Sequence, residues 1–325
     1  MTWTKDVSPA IEPPPDDAID PRPETEWDDG LQRTGVYGAV TPNLIATHDG
    51  RLRMYYTQIL PRPEFPAGAN DYYNATTRIL SAVSRDGATW TAEVGIRLEA
   101  SQCGVDTLRV VSPEVVPLGD GTYRMYFERC DGAGSGPSPS SLRSAISRDG
   151  GMTWIVEPGR RMGADGARYI SPRLILLDDG RQRLYYAERG EGIRSALSDD
   201  DGLTFKQEAG LRIEYDMDGG TAFAPEILRI QGAGYRMYFA SYGASNRASI
   251  LSAVSEDGLA WQRETEPAVE SGGKWDRAKA SEMCVALVPD REGSTPRYRM
   301  FYEACDGTAP DARGVWRIAS ATTPG

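Results

Sequence analysis

The same string of segments returns five times along the 325 residues, and a chain built that way does not fold as an ordinary layered domain. Each copy holds an apolar strand, a turn, a strand rich in arginine and aromatics and a strand carrying Ser-Ala, and all but the last go on to an Asp/Gly turn and an aromatic residue. The second strands show it most plainly: RLRMYY (Arg51 to Tyr56), TYRMYF (Thr122 to Phe127), RQRLYY (Arg181 to Tyr186), GYRMYF (Gly234 to Phe239) and RYRMFY (Arg297 to Tyr302). The third strands follow as ILSAVSRDG, LRSAISRDG, IRSALSDDD, ILSAVSEDG and RIASATTPG. One copy buries too little apolar surface to stand alone, so stability has to come from packing copy on copy. About four short strands per copy predict an all-β, five-bladed β-propeller with four-stranded antiparallel blades.

Four of the Asp/Gly turns lead into an outer strand that opens with Trp90, Trp154, Phe205 or Trp261, but the fifth copy reaches Gly325 without one. The first residues supply it, because TWTKDV (Thr2 to Val7) reads like TWTAEV (Thr89 to Val94) and TWIVEP (Thr153 to Pro158). Residues 1–8 are therefore expected to form the outer strand of the last blade, which removes a free sheet edge. A single domain over 1–325 follows, with a proline-rich acidic strap over 9–33 and blades at about 34–99, 100–162, 163–214, 215–270 and 271–325. Two long connections rise from one rim, Pro61 to Thr76 with Phe65, Tyr72 and Tyr73, and Asp131 to Ser141.

A net charge of −11 argues against a nucleic-acid or anionic-membrane partner. No run is long enough to span a membrane, and the first twenty residues lack a basic-then-apolar leader, so a cytoplasmic location is expected. Nothing in the sequence speaks to the oligomeric state. Cys103, Cys130, Cys284 and Cys305 match no zinc spacing; free buried thiols are expected, with Cys103–Cys130 and Cys284–Cys305 as the pairs that could form within one blade. The one histidine, His48, falls in a turn, which argues against a Ser-His-Asp triad or a His-ligated metal.

The inner strands align as VTPNLIAT, VSPEVVPL, ISPRLILL, FAPEILRI and ASEMCVAL, with Ser281 standing where the others have proline. Directly after that position come Asn43, Glu114, Arg173, Glu226 and Glu282, one polar residue per apolar strand. Inner strands line the axial channel, so these five are expected to form one ring. Four residues before the proline a second tier reads Arg109, Arg168, Thr221 and Arg277, with Gly38 in the first copy. The ends of the second strands add Gln58, Glu128, Glu188 and Glu303. Convergent charge at a channel mouth is the default site expectation. If the axial channel holds a cation, its oxygen ligands favour calcium; no other cofactor is expected. Arg53, Arg124, Arg183, Arg236 and Arg299 recur in every copy, which suits a structural role.

These strands resemble the five-bladed propeller glycosidases, above all glycoside hydrolase families 43 and 32, through SPEVV (Ser112 to Val116) and FAPEIL (Phe223 to Leu228). The aspartate that family 43 carries directly before the proline stands here as Thr41, Ser112, Ser171 and Ala224. The turns SRDGGMTW (Ser147 to Trp154) and SDDDGLTF (Ser198 to Phe205) fit the Asp-box pattern of sialidases, where the turn is structural. The resemblance implies a hydrolase of small or oligomeric glycosides using carboxylate acid/base chemistry, with Glu114, Glu226 and Glu282 as catalytic candidates. Asn43, Arg109, Arg168, Arg173, Arg277, Gln58, Glu128, Glu188 and Glu303 would then bind substrate. Two other expectations stand beside it: a divergent lyase, isomerase or cyclase acting on a small anionic metabolite, and a non-catalytic glycan binder.

Overall fold

The computed structural model describes residues 1–14, 37–60, 75–119, 121–131, 139–163, 167–215, 220–230, 232–243, 247–288, 297–308 and 314–323. Most of the strap, and Phe65, Tyr72 and Tyr73 of the first long connection, lie outside them. Among the described residues the structure is all-β, with one 3-10 turn at Ala100–Cys103 and no α-helix.

Five antiparallel units follow one another. Their inner strands are Tyr37–Ala46, Thr107–Gly119, Tyr169–Leu176, Phe223–Ile230 and Lys279–Val288. Each pairs with a second strand (Leu52–Leu60, Thr122–Asp131, Gln182–Glu188, Gly234–Tyr242 and Arg297–Cys305), which pairs with a third (Thr76–Ser84, Ser140–Ser147, Gly192–Ser198, Ala248–Ser255 and Val315–Thr322). Outer strands are two residues long. That of the last unit is Thr4–Lys5, with Thr4 opposite Thr322 and Lys5 opposite Ala321. The hydrogen bonds fall into sheets of 13, 4 and 5 strands, so no one ladder runs all the way round.

The core lies between units and repeats as they do. An aromatic of each second strand meets the outer-strand aromatic of the next unit edge to face: Tyr55 on Trp154, Tyr126 on Phe205, Tyr185 on Trp261, Tyr238 on Trp3 and Phe301 on Trp90. The last of these carries unit five back onto unit one. Such pairs add about 0.5–1.5 kcal/mol each beyond the area they bury. The recurrent arginines pair inside their own units, Arg53 with Glu93, Arg124 with Glu157, Arg183 with Glu208, Arg236 with Glu264 and Arg299 with Asp6. Asp6, from the N-terminal strand, stands where the other units have glutamate and accepts from Ser320 as Glu93 accepts from Ser81. Four of these arginines, Arg53, Arg124, Arg183 and Arg299, also reach turn carbonyls of the next unit, as Arg124 does at Asp201 (2.6 Å) and Arg299 at Gly87 (3.3 Å).

The Asp/Gly turns are held from within. In the second unit Ser147 Oγ donates to Asp149 and accepts from the Gly151 amide, Asp149 accepts from the amide and hydroxyl of Thr153, and Trp154 Nε1 donates to Gly151 O. Gly151 has a φ of 87°, and a Cβ there would collide with the Tyr55 hydroxyl, so the position takes only glycine.

Candidate functional site

The inner strands bulge where the sequence places its polar residues. In unit one Val40 opposes Thr57 and the next ladder pair is Asn43 with Tyr55, so Thr41 and Pro42 together face one partner residue. Units two, three and four do the same. The first bulge residues, Thr41, Ser112, Ser171 and Ala224, have φ between 51° and 53°, a left-handed backbone that residues with a Cβ rarely adopt. In unit five Ser281 opposes Glu303, Met283 opposes Tyr302 and Cys284 opposes Phe301. Cys284 therefore takes the place of Asn43, Met283 that of the proline, and Glu282 that of Thr41. The sequence alignment had set Glu282 beside Glu114 and Glu226; the ladder puts it one tier away.

The lower tier is Asn43, Glu114, Arg173, Glu226 and Cys284, all buried. Its hydrogen bonds pass from unit to unit. Asn43 accepts from the Val115 amide, Glu114 from the Leu174 amide (2.9 Å) and Glu226 from the Val285 amide (2.8 Å). Asn43 Nδ2 donates to the second oxygen of Glu114 at 2.6 Å, and Arg173 Nε to the second oxygen of Glu226 at 3.0 Å. Arg173 Nη1 donates to Pro172 O, and Nη2 to Pro42 O and Met283 O, each of the last two at 3.0 Å. One guanidinium of unit three thus reaches units one, four and five, and all four carboxylate oxygens of Glu114 and Glu226 are occupied. Burial pushes the Glu114 carboxyl up to about 8 against the pull of Arg173, and raises Glu226 against the same pull.

The upper tier is less saturated. Glu282 is 6% exposed; its Oε2 accepts from the Ser171 hydroxyl at 3.0 Å, and its buried Oε1 has no hydrogen-bond partner among the described residues. Glu303 accepts from Ser281 Oγ (2.6 Å) and the Thr41 amide (3.2 Å). Glu128 accepts from the Cys130 thiol at 3.1 Å and lies 4.0 Å from Arg189. All three carboxyls are raised, first by burial. The charge of Glu282 then pushes Glu303 further, to about 8, and Glu128 as well, while Arg173, Ser112 and Ser171 pull Glu282 itself back. Crowded carboxyls that cannot all ionise share protons, which is the electrostatic condition for acid/base work near neutral pH.

The other predicted site residues divide. Arg109 is buried and its charge reaches Glu128. Arg168 and Arg277 are exposed, because they precede their strands and do not sit in the ladder as Arg109 does. Arg277 donates to Asp306 O and Gly307 O. Glu188 is ion-paired with Arg194. Gln58 accepts from Arg78 and donates to Pro14 O, fastening the start of the strap. Thr41, Ser112 and Ser171 were not among the predicted site residues; their signal was the Thr/Ser-Pro pair of the first three inner strands. Among the described residues no cluster of His, Cys, Asp and Glu has the makings of a metal site. The four cysteines are free, and His48 is exposed in its turn.

No protein-family model matches this chain, and no curated protein sequence does. Solved structures do. A glycoside hydrolase superposes with a TM-score of 0.71 over 94% of each chain at 16% identity. The chain has the fold of the propeller glycoside hydrolases. A thermostable family-43 glycoside hydrolase matches at 0.66, with 18% identity over 91% of this chain and 92% of that one. An N-acetylgalactosamine deacetylase from F. plautii, in complex with blood group B trisaccharide, matches at 0.68, with 16% identity over 99% and 95%. At these identities the likeness speaks for the fold, and the same fold carries both hydrolysis of glycosides and deacetylation.

Proposed function

We propose that the five units form a closed five-bladed propeller and that the protein is an enzyme acting on a glycoside by carboxylate acid/base catalysis, with Glu282 at its centre. One observation carries this reading: Glu282 is a buried carboxyl with one oxygen held by Ser171 and the other without a hydrogen-bond partner among the described residues, next to two further carboxyls whose protons it influences. A buried polar atom left unsatisfied costs about 1–3 kcal/mol, a penalty that folds retain where a ligand completes the bond. Glu282 and Glu303 would share the acid and base roles, Glu128 would tune them, and the Glu114–Arg173–Glu226 tier would serve as their rigid floor. The propeller glycoside hydrolases among the solved structures support a glycan as substrate.

Steady-state turnover of a panel of aryl glycosides and oligosaccharides tests it. Glu282→Gln, which keeps shape and the Ser171 contact, should lower kcat at least 100-fold with binding retained. Full activity in both Glu282→Gln and Glu303→Gln would overturn the assignment. A small anionic metabolite processed by proton transfer is the second reading, favoured by the Arg109, Arg189 and Lys279 charges acting on these carboxyls. Turnover of such metabolites without release from any glycoside would select it.

A further inference from the structure

Four units hold a non-glycine residue in the left-handed region at the same bulge, and the structure shows where the resulting donors point. The Thr41 amide is aimed at Glu303 and the Ser171 hydroxyl at Glu282, both carboxyls of unit five. The fifth unit lacks the left-handed residue and supplies the acids. A backbone outlier of this kind is strained and persists where the surroundings fix it. Here a neighbouring ladder pair fixes it on each side, Ile170 with Ala187 and Arg173 with Tyr185. Strain alone does not require a hydroxyl, because Ala224 adopts the same backbone in unit four.

Resting on the assignment of Glu282 above, we infer that Ser171 is a positioning residue, whose hydroxyl holds one oxygen of Glu282 and so turns the other toward the substrate oxygen that exchanges the proton. The bond is charge-assisted when Glu282 is ionised and weaker when it is protonated, so Ser171 favours the ionised form. The Arg173 charge and Ser112, the equivalent residue of the preceding unit, pull in the same direction, and Glu303 and Glu128 are the carboxyls that feel the charge of Glu282. A residue that only shapes the bulge would leave the proton affinity of Glu282 unchanged.

The test is the titration of Glu282 in the intact protein, followed by NMR of carboxyl-labelled glutamate and assigned by loss of the signal in Glu282→Gln. Ser171→Ala is accommodated by the backbone, as Ala224 shows, and Ser171→Thr keeps the hydroxyl, as Thr41 shows. The alanine variant should move the Glu282 midpoint up by about one pH unit, a tenfold change in proton affinity, and the threonine variant should restore it. An unmoved midpoint in Ser171→Ala, or equal shifts in both variants, overturns the positioning role. A shifted midpoint together with full turnover by Glu282→Gln keeps the positioning role and removes the catalytic one, so the two failures are separable.

Discussion

Replacing Arg173 by methionine removes the cation that links unit three to units one, four and five. The variant leaves Glu226 without its 3.0 Å partner and Glu114 without the charge 3.9 Å away, and frees the carbonyls of Pro172, Pro42 and Met283. Breaking a buried ion pair from one side costs about 3–5 kcal/mol, and the carbonyls would add to this if water did not reach them. The carboxyls can relieve part of it by taking up protons. Both are already raised in the folded protein, Glu114 to about 8, and loss of Arg173 raises them further. A folded carboxyl with a raised pKa holds its proton where the unfolded chain has lost it, so stability falls as pH climbs through that window. The loss in Arg173→Met should therefore be small near pH 5 and reach about 3–5 kcal/mol near pH 8. With ~2.1 cal/mol/K of unfolding entropy per residue over 325 residues, this is a fall in Tm of about 4–7 °C. Thermal melts of both proteins from pH 5 to pH 8.5 measure it. A variant as stable as the parent at pH 8, or a loss that does not vary with pH, would refute the reasoning.

The same sign applies to Glu303, raised to about 8: Glu303→Gln should flatten part of the fall in stability between about pH 4.5 and pH 8, read as a smaller pH slope of Tm. Trp3→Ala removes the ring that packs on Tyr238 and should cost about 2–4 kcal/mol in urea unfolding, less than a fully buried tryptophan because Trp3 is only partly covered. Asp6→Asn weakens the contact with Arg299 and Ser320 and should cost about 1–3 kcal/mol; Asp6→Glu, which copies the residue of the other units, should recover most of it. No loss in either Trp3→Ala or Asp6→Asn would mean that the N-terminal strand does not hold the last unit.

The strands were legible because their chemistry repeats: Arg-Met-Tyr-Tyr and Ser-Ala mark second and third strands, and TWTKDV carries both the aromatic and the acid that the fifth unit lacks. The axial register of that unit was not. Matching Glu282 to Glu114 and Glu226 by residue type placed Ser281 at the proline, whereas the ladder counts back from Phe301 and gives Cys284 the ring position. Hydrogen-bond register follows the second strand, and similarity of side chains along one strand cannot report it. The second tier failed for a related reason. Even spacing keeps side chains on one face only inside a strand, and of Arg109, Arg168, Thr221 and Arg277 only Arg109 lies within one. Glu128 and Glu303 occupy the same position of their second strands, directly after the aromatic pair, and that equivalence was present in the sequence.

Crystals of the Glu282→Gln variant soaked with neutral and uronic-acid oligosaccharides test the account most directly. A sugar oxygen within about 3.2 Å of the freed side-chain atom of residue 282, with Glu303 on the same sugar, is the predicted result. A sugar held instead on the outer faces of the units, or reaching Glu114 and Glu226 past a displaced Arg173, would contradict it.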